Sequence, residues 1–477
     1  MHLEAKHTIY FLGIGGIGMS ALARYFAAEG HRVMGYDSTP SPLTHALEAE
    51  GIAIQYDDTT AWVEQLHKEQ TLVVHTPAVP AQTAIYCYLQ EQGFNIYKRA
   101  EVLGWVTRQK KTLCVAGTHG KTTTSTILAH ILHHSHMGAN AFLGGIANNY
   151  ATNVLLDSQS EYVVVEADEF DRSFHHLAPY ISIITSMDPD HLDIYGTEEA
   201  YRASFAYYAS LVRNTLVIKH SIAEHIVYNG EKVEATVYTY AVGEKADFYA
   251  DNIRILDGQI YFDFHTPENV IADMQLGVPV WVNIENSVAA MAVAWLVGAT
   301  EEALRQGTST FAGVYRRFNI QVNTPQVIYI DDYAHHPQEL ASTIQSVRLL
   351  YPDRYVIGVF QPHLYSRTRD FVDDFAQVLS QLDEVALLPI YPAREEAIEG
   401  VTSEWLMQKI GERGEMPGKK GMIKRALVLP AILPKYLRER LKSCLRADKK
   451  VVIITMGAGD IDRQVNEITH QLTYKIL

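Results

Sequence analysis

The stretch Leu113–Thr124, LCVAGTHGKTTT, sets two glycines, a lysine and a run of threonines in an order suited to phosphate chemistry. The spacing predicts a buried strand over Thr112–Ala116, a turn bounded by Gly117 and Gly120, and a helix opening at Lys121. Bare glycine backbone, with Thr118 and His119 between, lets main-chain N–H groups close on an anion at a helix N-terminus. Lys121 adds a point charge for the β- and γ-phosphates, Thr122 offers a hydroxyl for Mg²⁺, and Thr123 follows in the same turn. The usual phosphate loop has one more glycine, at the position of Val115. The stretch reads as a nucleoside triphosphate site.

Acidic residues follow at the right places. Glu161–Ala167 reads as an apolar strand running into EADEFDRSF, which puts Glu166, Asp168, Glu169 and Asp171 at its tip. A carboxylate at a strand end beside a phosphate loop is where a Mg²⁺ ligand belongs. Ile181–Ser186 is the next strand, ending in MDPDHLDIYG with His191 between Asp190 and Asp193. From residue type alone His191 is equally a structural histidine or a ligand. As a ligand it implies a cation that tolerates nitrogen, so Mn²⁺ stands beside Mg²⁺.

A second glycine loop lies near the start. His7–Leu12 reads as a strand, and Gly13, Gly15 and Gly18 satisfy G-x-G-x-x-G before a helical pattern over Met19–Glu29. The strand Arg32–Tyr36 then ends at Asp37, about twenty residues on, as in dinucleotide-binding folds. Physically the loop Gly15–Ser20, with Gly16, Ile17 and Met19 inside it, says only that a pyrophosphate sits at a helix N-terminus. NAD(P) and a UDP-linked sugar both carry one, and both stay open here. Further strands at Ile52–Tyr56 and Thr71–Thr76 place His75 and Thr76 at a carboxyl edge, as ligand contacts or as polar strand ends. Arg99 opens another helix.

Later segments add candidates. Asn283 and Asn286, one turn apart at a helix start, either read an adenine edge or cap the helix. In FAGVYRRFNI, Tyr315, Arg316 and Arg317 fall at an expected domain boundary, where an arginine can reach a transferring phosphate. Strands at Gln326–Ile330, Tyr355–Phe360, Glu384–Ile390 and Val451–Thr455 each end in polar residues, among them Asp332, His335, His336, His363 and Arg367. Each precedes a helical pattern, which predicts another doubly wound sheet.

The elements that position these residues fit an α/β chain of 477 residues, too long for one ordinary core. A net charge of −15 excludes nucleic acid and anionic membrane as partners, so phosphate binding is local. Three scattered cysteines exclude disulfide frameworks and thiolate metal sites, in keeping with a reducing cytoplasm. The apolar run Ile9–Ile14 is broken by glycines and lacks a signal-cleavage pattern, and Ser287–Ala299 is too short to span a bilayer.

GIGGIGMSALA, GTHGKTTT, EADEFDRSF, DPDHLDIYG, FAGVYRRF, DDYAHHPQE, FQPHLYSRT and GAGDI occur in order along nearly the whole chain. Together they closely resemble the Mur ligase family of bacterial peptidoglycan synthesis. The resemblance implies three domains: a Rossmann-like UDP-sugar-binding domain (1–107), an ATP-binding P-loop domain with a mostly parallel sheet (108–314), and a Rossmann-like amino-acid-binding domain (315–477). It turns the first glycine loop, with Asp37, His75, Thr76 and Arg99, from NAD(P) to UDP. It implies Thr122, Glu166 and His191 as metal ligands, and Arg317 and Arg367 beside Lys121 in catalysis. ATP contacts fall to Gly117–Thr123, Asn283, Asn286, Arg316 and Asp332, and the amino acid to His335, His336, His363 and Arg367. The implied reaction is ATP-dependent joining of L-alanine to the lactyl carboxylate of UDP-N-acetylmuramate in a cytoplasmic monomer or homodimer. A sibling activity attaches a murein tripeptide to the same sugar. Three positions depart from the family pattern. Leu364 stands where an arginine grips the amino acid, Ser186 replaces an asparagine, and Val282 replaces a histidine.

Overall fold

The structure is a computed structural model, and it describes residues 7–189, 192–226, 232–256, 258–393, 395–414 and 423–474. The first sheet takes β1 (Thr8–Leu12), β2 (Arg32–Tyr36), β3 (Ala53–Gln55), β4 (Thr71–His75) and β5 (Ile96–Lys98) in the order β3-β2-β1-β4-β5. All its pairings are parallel, so the chain direction of winding reverses between β1 and β4. A crevice opens at the carboxyl ends of two such strands.

The second sheet holds β6 (Lys111–Ala116), β7 (Asn140–Ala147), β8 (Thr152–Leu155), β9 (Tyr162–Ala167), β10 (Ile181–Ile184), β11 (Thr215–Lys219), β12 (Thr236–Val242), β13 (Phe248–Leu256), β14 (Gln259–His265) and β15 (Val270–Gln275). Their order is β15-β14-β13-β12-β11-β10-β6-β9-β7-β8. Strands β12-β11-β10-β6-β9-β7 run parallel, while β8 and β15 add antiparallel edges. β6 is buried along five of its six positions, which is why its sequence is a continuous apolar run. The region after β11 was not resolved into strands from sequence; β14 is a half-buried strand whose side chains alternate between core and surface.

The third sheet orders β16 (Asn319–Asn323), β17 (Val327–Asp332), β18 (Tyr355–Phe360), β19 (Glu384–Leu387), β20 (Lys424–Leu427) and β21 (Val451–Met456) as β16-β17-β21-β18-β19-β20. Only β16 is antiparallel, and the rest form the expected Rossmann-like arrangement.

By packing, the chain divides into two compact units. Met1–Arg254, Tyr261–Gly277 and Ile284–Ala312 form one; Ile255–Ile260, Val278–Asn283 and Gly313–Leu477 form the other. Within the first unit one apolar core runs from Phe11 and Phe26 through Phe142 and Val165 to Phe174 and Tyr208, joining the first two sheets. The helix Ile17–Ala28 lies on β7 and β8, with Tyr25 against Phe142 at 5.4 Å between ring centres. Asn153 on β8 fixes the start of that helix. Its amide donates to the Ile17 carbonyl at 2.5 Å and the Ser20 hydroxyl at 3.0 Å, and its carbonyl accepts from Arg24 at 2.6 Å. Such buried polar groups are costly to leave unpaired, so the glycine loop is held to the second sheet by a satisfied network.

The helix Lys121–His133 is secured at its far end by His130, whose Nδ1 meets the Tyr150 hydroxyl at 2.6 Å and Nε2 the Thr310 hydroxyl at 3.0 Å. Burial, reinforced by His134 and His133, pushes the His130 pKa down to about 4. Between that value and the ordinary 6.5 the unfolded chain binds the extra proton, so stability present above pH 6.5 is lost as pH falls toward 4. Replacing His130 with Gln should therefore flatten the acid limb. Urea midpoints at pH 7 and pH 5 should converge for the variant relative to the parent chain, by the equivalent of about 2 kcal/mol.

Candidate active site

Gly117 (φ +134) and Gly120 (φ +83) occupy backbone conformations that side-chain-bearing residues rarely adopt, and Gly120 caps the helix that starts at Lys121. A methyl at Gly117 would overlap the Thr185 hydroxyl. The loop is laced to the tip of β10. The Thr185 hydroxyl donates to the carbonyls of Ala116 (3.1 Å) and His119 (2.5 Å), and the His119 N–H donates to the Ser186 hydroxyl at 2.8 Å. Thr118 donates to the Asp188 carbonyl at 2.7 Å and meets the Tyr201 hydroxyl at 2.7 Å. Ser186, one of the departures noted above, thus shapes the phosphate loop directly. Thr122 is buried at the first turn of the helix. Asn286 reaches the loop from a distant helix: its carbonyl accepts from the Thr124 hydroxyl at 3.1 Å and lies against Gly120. Asn283 instead donates to the Val278 carbonyl at 3.2 Å.

Lys121 does not point into open space. Its ammonium donates to the carbonyls of Gly117 (2.6 Å) and Thr118 (3.2 Å) and pairs with Glu169 at 2.8 and 3.0 Å. Burial alone would lower the Lys121 pKa; the carboxylates of Glu169, Glu166 and Asp168 outweigh it and hold the ammonium above its ordinary value. Burial pushes Glu169 up to about 7, and Lys121 offsets only part of that. Glu169 counted in the sequence only as one of four acids at a strand tip; its partner is fixed by the parallel placement of β6 and β9.

Glu166, at the end of β9, borders a cleft of about 280 Å³ together with Gly16–Met19, Thr76, Arg99, Phe142, Gly144 and Asp168. The first glycine loop and the β9 carboxylates therefore face one space. A methyl at Gly144 would overlap the Glu166 carboxylate. Arg99 packs over Gly18 and stands 3.8 Å from Asp168, and neighbouring Lys98 pairs with Asp171 at 2.8 Å. Asp37 turns back on its own loop, accepting from the Gly15 N–H at 2.8 Å and the Thr39 N–H at 3.2 Å. Ser20 donates to the Ile17 carbonyl, and His75 packs edge-on against Tyr86, which leaves Thr76, just past the end of β4, to line the cleft. His191 lies outside the described residues. Among the described residues no cluster of three or more His, Cys, Asp or Glu side chains assembles into a metal site.

In the second unit the two adjacent arginines separate. Arg316, at φ +62, is buried: its guanidinium faces Asp331 at 3.3 Å and Asp462 at 3.6 Å and donates to the Gly457 carbonyl at 2.6 Å. Arg317 is a third exposed, 3.7 Å from Glu339 and over the Tyr333 ring. Asp332 is buried, accepts from the Thr343 hydroxyl at 2.5 Å, and is pushed by burial up to about 6. His335 contacts Glu339 at 3.3 Å and faces the His363 ring at 5.9 Å, and burial lowers its pKa. His336 caps the next helix and packs on Phe371. Arg367 sits in the first turn of the helix Tyr365–Asp370, whose N-cap Leu364 holds φ +68, an unusual backbone for leucine.

A phosphate loop with a strand-tip carboxylate one strand away, and a second glycine loop facing that carboxylate across one cleft, suit an enzyme that sets a nucleoside triphosphate beside a second, phosphate-bearing substrate. The chain belongs to the Mur ligase family: the profile for the Mur ligase family catalytic domain matches residues 8–111, that for the Mur ligase middle domain residues 115–294, and that for the Mur ligase glutamate ligase domain residues 316–459. It is 50% identical to a UDP-N-acetylmuramate–L-alanine ligase of Phocaeicola vulgatus, covering all of both chains. It is 52% identical to one of Parabacteroides distasonis, covering 100% of this chain and 99% of the relative. In fold it is similar to the UDP-N-acetylmuramate–alanine ligase of Thermotoga maritima, with TM-score 0.79 and 24% identity over 98% of this chain and 99% of that one. Membership replaces the NAD(P) reading of Gly13–Gly18.

Because Gly144 is exposed but lies against Glu166, a methyl there displaces the carboxylate without touching the core. Gly144→Ala should lower turnover by about 10²-fold, the usual cost of misplacing a reacting-site group by an ångström. Its melting temperature should stay near that of the parent chain, and initial rates beside a thermal melt would check both halves.

Proposed function

We propose that this protein joins L-alanine to the lactyl carboxylate of UDP-N-acetylmuramate at the expense of ATP; its full-length relatives at about 50% identity are named UDP-N-acetylmuramate–L-alanine ligases. The single observation that carries the reading in the structure is the shared cleft. It puts the first-loop glycines and Glu166 in one space, while the strand that leads into the Lys121 loop pairs in parallel with the strand that carries Glu166. Three domains, 1–107, 108–314 and 315–477, divide the work in this reading.

A carboxylate is a poor electrophile, so ATP converts it to an acyl phosphate. The lactyl oxygen attacks the γ-phosphorus, the bond to ADP breaks, and Lys121 with the loop N–H groups of Gly117–Thr122 neutralises the charge that spreads over the phosphoryl oxygens. The amine of L-alanine then attacks the acyl carbon, loses a proton, and expels inorganic phosphate. Thr122 and Glu166 offer oxygen donors, and bare Gly144 lets the Glu166 carboxylate lie against the β7 backbone, a set that suits a hard cation. When bound there, with His191 as a further proposed holder, Mg²⁺ supplies charge neutralisation between the two anions. Gly15–Met19, Thr76 and Arg99 are proposed to hold the UDP sugar. Asn286 is proposed to contact the nucleotide, and His335, His336, His363 and Arg367 the amino acid. Arg316 is held by Asp331, Asp462 and the Gly457 carbonyl, which leaves Arg317 as the arginine of this pair proposed for catalysis. The protein is proposed to act in the cytoplasm; among the described residues no helix is long and apolar enough to cross a membrane.

Purified protein given UDP-N-acetylmuramate and ATP should release phosphate when L-alanine is added. Oxygen label from the muramyl carboxylate should appear in that phosphate. Release with a murein tripeptide alone would overturn the choice of acceptor. Lys121→Ala should reduce turnover by about 10³-fold while calorimetric binding of UDP-N-acetylmuramate survives, because the lysine is absent from the cleft lining.

A further inference from the structure

An ammonium has three N–H donors, and those of Lys121 face the Gly117 and Thr118 carbonyls and the Glu169 carboxylate. A phosphate can engage this lysine only by displacing one of them. Two of the three belong to the phosphate loop itself, so the removable partner is Glu169. That carboxylate is 2% exposed, and its residue is fixed by the Tyr195 hydroxyl, which donates to its main-chain carbonyl at 2.5 Å. Two residues on, Asp171 and Arg172 turn through φ +51 and +53, and Arg172 covers the Tyr195 ring at 4.7 Å. The carboxylate is therefore built in place beside the lysine and cannot retreat to water when a nucleotide arrives.

We propose that Glu169 is a positioning residue that parks the Lys121 ammonium inside the nucleotide-free phosphate loop and competes with the incoming triphosphate for it, so that this side chain sets the nucleotide affinity. In the free protein the pair keeps a buried cation satisfied and the loop carbonyls engaged. When the triphosphate draws the ammonium away, a carboxylate with little access to solvent is left near phosphate oxygens, a cost subtracted from binding. The inference rests on Gly117–Thr122 being a nucleoside triphosphate site, and not on which amine the enzyme uses.

Calorimetric titration of the full chain with ATP and Mg²⁺, without sugar or amino acid, tests it. Glu169→Gln should tighten ATP binding by about fivefold, the low end of ordinary coupling between two ligands for one group. In turnover the KM for ATP should fall while kcat changes less. Glu169→Asp, which keeps the charge but falls a methylene short of the ammonium, should lie between. The decisive comparison is made in a Lys121→Ala background, where nothing remains to be parked and Glu169→Gln should leave ATP affinity unchanged. Unchanged or weaker ATP binding in Glu169→Gln overturns the proposal, as does an equal shift in both backgrounds. Tighter ATP binding in a protein that ignores L-alanine would uphold the competition and defeat the substrate assignment instead.

Discussion

Parallel pairing of β10, β6 and β9 is the constraint from which the site follows. Ala116 lies opposite Ile184 on one side and Ala167 on the other, so three chain segments leave the sheet at one level. The phosphate loop, the Thr185–Ser186 corner and the acidic turn are therefore neighbours by register. A slip of one residue in β9 would turn Glu166 from one face to the other and exchange it with a residue now in the core. Each tip then supplies a different kind of group: backbone N–H and lysine from β6, hydroxyls from β10, carboxylates from β9. None of the three carries the chemistry without the other two.

Much of this was legible in the chain because local rules and fold agree there. Gly-Lys-Thr after an apolar strand announces a phosphate loop, and the strand ends at Ala116, Ala167 and Asp332 fall close to where the apolar runs stop. What the sequence withheld is long-range pairing. Asn286 is separated from Thr124 by 162 positions, and Asn153 from Ile17 by 136, so no window of sequence joins them. Arg316 and Arg317 are indistinguishable as letters. The left-handed backbone at Arg316 sends one guanidinium into the interior while its neighbour remains at the surface. Glu169 was visible as an acid, but its role depends on Lys121, 48 positions earlier. His191, the other metal candidate, falls outside the described residues.

The electrostatics are local throughout. The chain carries a net charge of −15, yet several buried ions have a partner of opposite sign: Lys121 with Glu169, Arg316 with Asp331, and Glu384 with the half-buried Arg440. Such pairs are worth little as net stabilisers, because desolvation offsets most of the attraction. Their value is geometric, since a paired guanidinium or ammonium has one orientation where a solvated one has many. Arg440 is held by two short bonds to Glu384 on β19, with Tyr436 donating to the same carboxylate.

The bond from the Gly15 N–H to Asp37 bears on how glycine fingerprints are interpreted. In a dinucleotide fold the acid at this position is kept for the sugar hydroxyls of its cofactor; here it is folded inward and closes the loop on itself. The fingerprint records how tightly a strand can bend into a helix, and that bend is indifferent to cargo. Two lineages with unrelated chemistry can share the spelling of the loop and differ only in where one carboxylate has turned.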